Sequence, residues 1–112
     1  MYYLDVISLE GCPYSMNTEK IIEKNNIRNN LVKVSRSEKE SYKNENIRTF
    51  PQIYLKKYNS SGSILLAGNS DLEEIISLRG NSLDVQKKHL EKKYDKISKK
   101  SVLRIIELIN VK

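Results

Sequence analysis

The chain has 112 residues and a formal net charge of +6, with 20 basic against 14 acidic side chains, a size that sets one compact domain as the expectation. Leu, Ile, Val and Phe supply 32 residues, enough for a core and above the disordered regime, while no apolar run approaches the roughly 18 residues of a membrane span. One cysteine and one histidine exclude an internal disulfide and make a structural zinc site an unsuitable expectation.

Tyr2 to Leu9 is β-branched and aromatic and predicts a first strand. Glu10-Gly11 breaks it, and Cys12-Pro13-Tyr14-Ser15 leads into a helix running to Asn25, with Ile21 and Ile22 on one face. Leu31 to Val34 alternates and predicts a second strand. Ser35 with Glu38 has the spacing of a capping box and predicts a polar helix toward Asn46. Gln52 to Lys57 and Ser63 to Ala67 predict a hairpin whose polar tip exceeds two residues. Gly68-Asn69-Ser70 caps a further helix starting near Asp71, and Gly80 stops it.

Beyond Gly80 the composition changes. Leu90, Tyr94 and Ile97, then Val102, Ile105, Ile106 and Ile109, form two helical stripes. Ser98-Lys99-Lys100-Ser101 at their join is either a kink or a break. Residues 1–80 carry 11 basic and 10 acidic side chains, and residues 81–112 carry 9 and 4. The positive balance therefore belongs to the second segment. Its lysines, Lys87, Lys88, Lys92, Lys93, Lys96, Lys99 and Lys100, read as a solvated outer face. The other reading is a surface for nucleic acid or an acidic protein. His89 among them reads as a surface side chain. The aromatics Tyr2, Tyr3, Tyr54 and Tyr58 read as sheet packing. No leader is visible in Met1-Tyr2-Tyr3-Leu4-Asp5. The expected setting is a reducing one, cytoplasmic (host cytoplasm or virion for a viral source), with no membrane partner.

Cys12 follows a strand and opens a helix, where free backbone N–H groups and the helix dipole favour an anion. Pro13 suits the first helical turn. A thiol placed there ionises more readily than a free one. Ionisation gains little in attack, because intrinsic nucleophilicity falls with pKa, and gains clearly when the thiolate has to leave a mixed disulfide. The alternative is a small buried hydrophobe, which the flanking Gly11, Pro13 and helix start disfavour.

Three segments in this order, Cys12-Pro13-Tyr14-Ser15, Thr49-Phe50-Pro51-Gln52 and Ala67-Gly68-Asn69-Ser70-Asp71-Leu72, resemble the C-P-Y-C, T-V-P-Q and G-G-x-x-D-L segments of the glutaredoxin family. The resemblance covers about residues 1–80. It implies a thioredoxin-like three-layer α/β sandwich, a four-strand mixed sheet flanked by helices, with residues 81–112 as a basic helical extension packed on the same domain. It implies glutathione as co-substrate, no metal, and glutathionylated proteins or small mixed disulfides as substrates.

The family pattern makes Cys12 the nucleophile, lines the glutathione groove with Tyr14, and pairs the Phe50 backbone with the cysteinyl part. Pro51 is then cis and holds that backbone facing Cys12. Ser70 and Asp71 meet the γ-glutamyl end, Asp71 through its ammonium; otherwise Asp71 is an ordinary helix-start acid. Ser15 stands where the family has its second cysteine, which leaves a monothiol route and a hydroxyl able to bond the Cys12 thiolate. Leu9 stands where many members carry Lys, a role left to Arg48 or Lys39. Ala67 replaces the first glycine of its segment, a change expected to be mild. Pro13 and Tyr14 depart from the C-G-F-S of cluster-binding members.

Overall fold

The structure is a computed structural model and describes residues 1–110. Four strands, β1 (Tyr2–Leu9), β2 (Asn29–Val34), β3 (Gln52–Lys57) and β4 (Ser63–Ala67), and four helices, α1 (Pro13–Lys24), α2 (Asn69–Ile76), α3 (Leu83–Lys93) and α4 (Lys99–Ile109), follow in the order β1-α1-β2-β3-β4-α2-α3-α4. The sheet runs β2-β1-β3-β4, with β1 and β2 parallel and the β1–β3 and β3–β4 pairs antiparallel. This is the mixed sheet with flanking helices expected of a thioredoxin-like fold.

Alternation along β1 divides its side chains between two layers. Leu4 and Val6 enter the main core with Ile53 and Leu55 of β3, Ile22 of α1, Leu72 and Ile75 of α2, Leu90 of α3 and Val102 and Ile105 of α4. Ile7 and Leu9 face the other way, where they meet Val34, Tyr42, Phe50 and Tyr54. Asp5 shares that second face, buried, and is held by Asn30 Nδ2 at 2.8 Å and Lys56 Nζ at 3.1 Å. The residues after Gly80 are thus part of the core, and each large apolar side chain they bury contributes about 1.5–3 kcal/mol.

The second layer differs from the sequence expectation. In place of a polar helix from Ser35 toward Asn46 there is one 3-10 turn, Lys39–Tyr42. Glu38 folds back onto the Ser35 N–H and hydroxyl, at 3.2 and 2.8 Å, which closes a local turn. The Asn44 side chain accepts the N–H groups of Asn46 and Ile47 and ends the segment. A helix here would have no apolar stripe to bury. Tyr42 anchors the segment, its carbonyl accepting from buried Gln52 Nε2 at 2.9 Å.

The join between the last two helices is a break. α3 ends at Lys93, and Ser98 caps α4 by accepting the Ser101 N–H at 3.1 Å. Tyr94, between them, donates to the Leu66 carbonyl at 2.7 Å. Val111 and Lys112, the end of the expected extension, lie outside the described residues. In the hairpin loop the Tyr58 ring packs on Tyr3, centroids 4.5 Å apart, as sheet packing requires.

Candidate functional site

At the carboxyl end of β1 the chain turns through Gly11, whose φ of +75° suits glycine, and reaches Cys12, the N-cap of α1. The Cys12 thiol is half-buried and lies 3.8 Å from the Phe50 carbonyl oxygen. The Phe50–Pro51 peptide is cis, so the expected isomer is present and the preceding carbonyl stands at the thiol.

Ser15 is fully buried one turn into α1. Its oxygen accepts the Leu9 N–H at 3.0 Å, which leaves its proton for Cys12. Burial raises the Cys12 pKa, but hydrogen bonds from the Ser15 N–H and hydroxyl and the Tyr14 N–H, with the Arg36 charge, outweigh it, so the thiol ionises below its ordinary value of 9.0. These are helix-start donors that have no partner within the helix.

The thiol opens into a cleft of about 740 Å³. Of the residues singled out in sequence, Cys12, Tyr14, Arg48, Phe50, Ser70 and Asp71 line it, and Ser15 and Pro51 sit behind its wall. Tyr14 is 66 % exposed and stands free beside the thiol. Leu9 reaches the cleft but belongs to the apolar cluster. Lys39 and Arg48, the two cations expected to replace a lysine at that position, both line the cleft, and Lys43 joins them. One wall is therefore basic.

The opposite wall is the start of α2. Asp71 Oδ2 accepts the Gly68 N–H at 2.9 Å, half of a capping arrangement. Asn69 ties this corner to α1 by accepting from Thr18 Oγ1 at 2.8 Å and Asn17 Nδ2 at 3.0 Å. The second Asp71 oxygen is taken by Lys93 Nζ at 2.7 Å, and the same ammonium reaches Glu74 Oε1 at 3.1 Å. Burial raises the Asp71 pKa, yet the Lys93 and Gly68 hydrogen bonds and the Lys93 charge bring it below its usual value.

Lys93 corrects the reading of the basic segment as a uniformly solvated face, since its side chain is only 16 % exposed. The signal was present: Lys93 falls three residues after fully buried Leu90 and so shares the inward stripe. His89 also has a partner, Glu74 Oε2 at 2.6 Å. Sequence reasoning missed Lys43, Asn69, Glu73 and Lys93.

Ala67 sits at the edge of the cleft with φ +92°. It follows a register shift between Ile53 and Tyr54 in the β3–β4 pair, a bulge of the kind that re-aims side chains near sites. The change expected to be mild puts a methyl group on a backbone shape that favours glycine.

Comparison with known proteins adds a family match to part of the chain. The glutaredoxin family model matches residues 4–57. A similar solved structure is the crystal structure of glutaredoxin 1 from Francisella tularensis complexed with cacodylate, 21 % identical with a TM-score of 0.54, covering 73 % of this chain and 100 % of that one. At that identity the likeness shows the fold. No curated protein matches the chain. By the match over residues 4–57, Cys12 among them, the chain carries a glutaredoxin-family domain on a thioredoxin-like fold, and the kind of function this supports is thiol–disulfide oxidoreduction.

Proposed function

We propose that the chain is a glutathione-dependent oxidoreductase that removes glutathione from mixed disulfides through a single thiol, Cys12. In the first step the Cys12 thiolate attacks the glutathione sulfur of a glutathionylated substrate. A Cys12–glutathione disulfide forms, the substrate disulfide breaks, and the substrate leaves as a thiolate that takes a proton. In the second step the thiolate of a free glutathione attacks the glutathione sulfur bound to Cys12. Oxidised glutathione is released, and Cys12 leaves with its electron pair as a thiolate. In sum one free glutathione is consumed for each mixed disulfide reduced, and it leaves joined to the glutathionyl group taken from the substrate as oxidised glutathione.

The observation that carries this reading is the pairing of Cys12 with Ser15. The donors that lower the thiol pKa favour departure of Cys12 in the second step. Ser15 offers a hydroxyl where an internal attack would need a second thiol. The basic wall of Lys39, Lys43 and Arg48 suits the carboxylates of glutathione. A supply of reduced glutathione is required, which places the reaction in a reducing compartment such as the cytoplasm.

The test is turnover of a glutathionylated peptide with excess glutathione, followed by formation of oxidised glutathione. Wild-type protein turns over, and Cys12→Ser falls to the uncatalysed background while remaining folded by circular dichroism. An inert wild type refutes the proposal.

That negative result leaves a second reading, an interaction module for an anionic macromolecule. It is favoured by a cavity of about 500 Å³ at the other end of β1. Arg28, Lys57, Lys100 and Arg104 gather there around the single acid Glu107, and the Arg104 Nε is buried without a hydrogen-bond partner among the described residues.

A further inference from the structure

Lys93, on α3 and outside the matched family segment, reaches Asp71 at the wall of the proposed glutathione cleft. Its ammonium sits between Asp71 Oδ1 at 2.7 Å and Glu74 Oε1 at 3.1 Å, with the Tyr94 ring centroid 5.5 Å away. Asp71 Oδ2 is already committed to the Gly68 N–H. Both oxygens of the one carboxylate that the family pattern reserves for a ligand ammonium are thus engaged before any ligand arrives.

A ligand ammonium from solution competes poorly for that carboxylate. Lys93 is tethered and mostly buried, so its local concentration far exceeds that of a free ligand. Both cations would stand a hydrogen-bond length of about 2.8 Å from the same carboxylate, close enough to repel one another across a partly desolvated corner. Glu73, the other acid lining the cleft, is exposed and accepts from the side-chain amides of Asn17 and Asn69. A solvated carboxylate of that kind attracts an ammonium weakly. On the basic wall Lys43 is paired with the exposed Glu40 at 3.0 Å, whereas Lys39 and Arg48 form no salt bridge among the described residues.

We propose that Lys93 is a specificity-determining residue. By occupying Asp71 it removes amine recognition from the cleft, so thiol carriers are selected by their carboxylates and the γ-glutamyl α-ammonium is dispensable. This rests on the deglutathionylation reading and widens its substrate class from glutathione to acidic thiol carriers with or without an amino group.

The experiment compares one peptide carried as two mixed disulfides, with glutathione and with its analogue lacking the α-amino group (glutaryl-cysteinyl-glycine). Glutathione is the reductant in both. Wild type gives kcat/KM values for the two within about threefold of one another. Lys93→Gln frees Asp71 and prefers the glutathione disulfide by on the order of tenfold, the size of one charge-assisted hydrogen bond. Lys93→Arg restores the wild-type ratio. A wild type that already prefers glutathione tenfold overturns the inference, without recourse to any variant. So does a Lys93→Gln protein that slows both substrates equally, as a purely structural lysine would. Either result leaves the deglutathionylation reading intact, whereas turnover of neither substrate by wild type refutes both.

Discussion

Replacing Ser15 by Ala removes one hydroxyl that serves two groups at once. Its oxygen accepts the Leu9 N–H at 3.0 Å, and both residues are buried. With Ala in place this backbone donor has no partner, a cost of about 1–3 kcal/mol. Burying a methyl group instead of a hydroxyl returns part of that, so a net loss of about 1–2 kcal/mol is expected at about pH 6. The second group is Cys12, whose ionisation the Ser15 hydroxyl favours. A pKa lowered by folding contributes stability that is fully present above the ordinary value of 9.0 and is lost as pH falls through the lowered native value. Ser15→Ala forfeits part of this contribution, so its deficit against wild type grows between about pH 6 and pH 9. Urea denaturation at both pH values measures the deficit, and ultraviolet titration of the thiolate shows the midpoint moving upward. In a Cys12→Ser background the pH-dependent part disappears. A deficit below about 0.5 kcal/mol, or one equal at both pH values, refutes the double role.

Two further substitutions test the fold around the site. Ala67→Gly relieves about 1–2 kcal/mol of left-handed backbone strain against about 0.4–1 kcal/mol of added unfolded-state entropy. It should raise the thermal midpoint by roughly 2–5 °C; a lowered midpoint contradicts the strain argument. Leu90→Ala empties a fully buried position in the main core and should cost about 2–5 kcal/mol in urea denaturation. A cost under about 1 kcal/mol would mean that α3 contributes little to that core.

Local signals were readable wherever the chain states its structure within a few residues. Pro13 after Cys12 and the Gly68-to-Asp71 start of α2 each locate an element, and the structure has both; Ser98 to Ser101 left a kink and a break equally open, and the structure has the break. The Ser35–Glu38 spacing misled because a cap can close a turn without an apolar stripe behind it. The Ser15 oxygen was unreadable in its structural half, since its partner Leu9 lies across the strand-to-helix turn. Lys93 failed for the opposite reason. Its charge suggests solvent, its spacing from Leu90 suggests burial, and only the fold brings Asp71, 22 residues earlier, within reach. Ala67 carries no local sign of a positive φ.

The packing of α4 against the first strand sets the order in which this molecule can be completed. Leu4 and Val6 share their core with Val102 and Ile105, contacts that span nearly the whole described chain. On a ribosome the sheet can pair once β4 has emerged, but the face of β1 that meets α4 stays open until the last helix follows. Loop-closure entropy must be met before such distant contacts reward it. Docking of α4 is therefore a late step relative to sheet pairing, and a chain in which α4 has not yet docked shows an apolar sheet face to its surroundings.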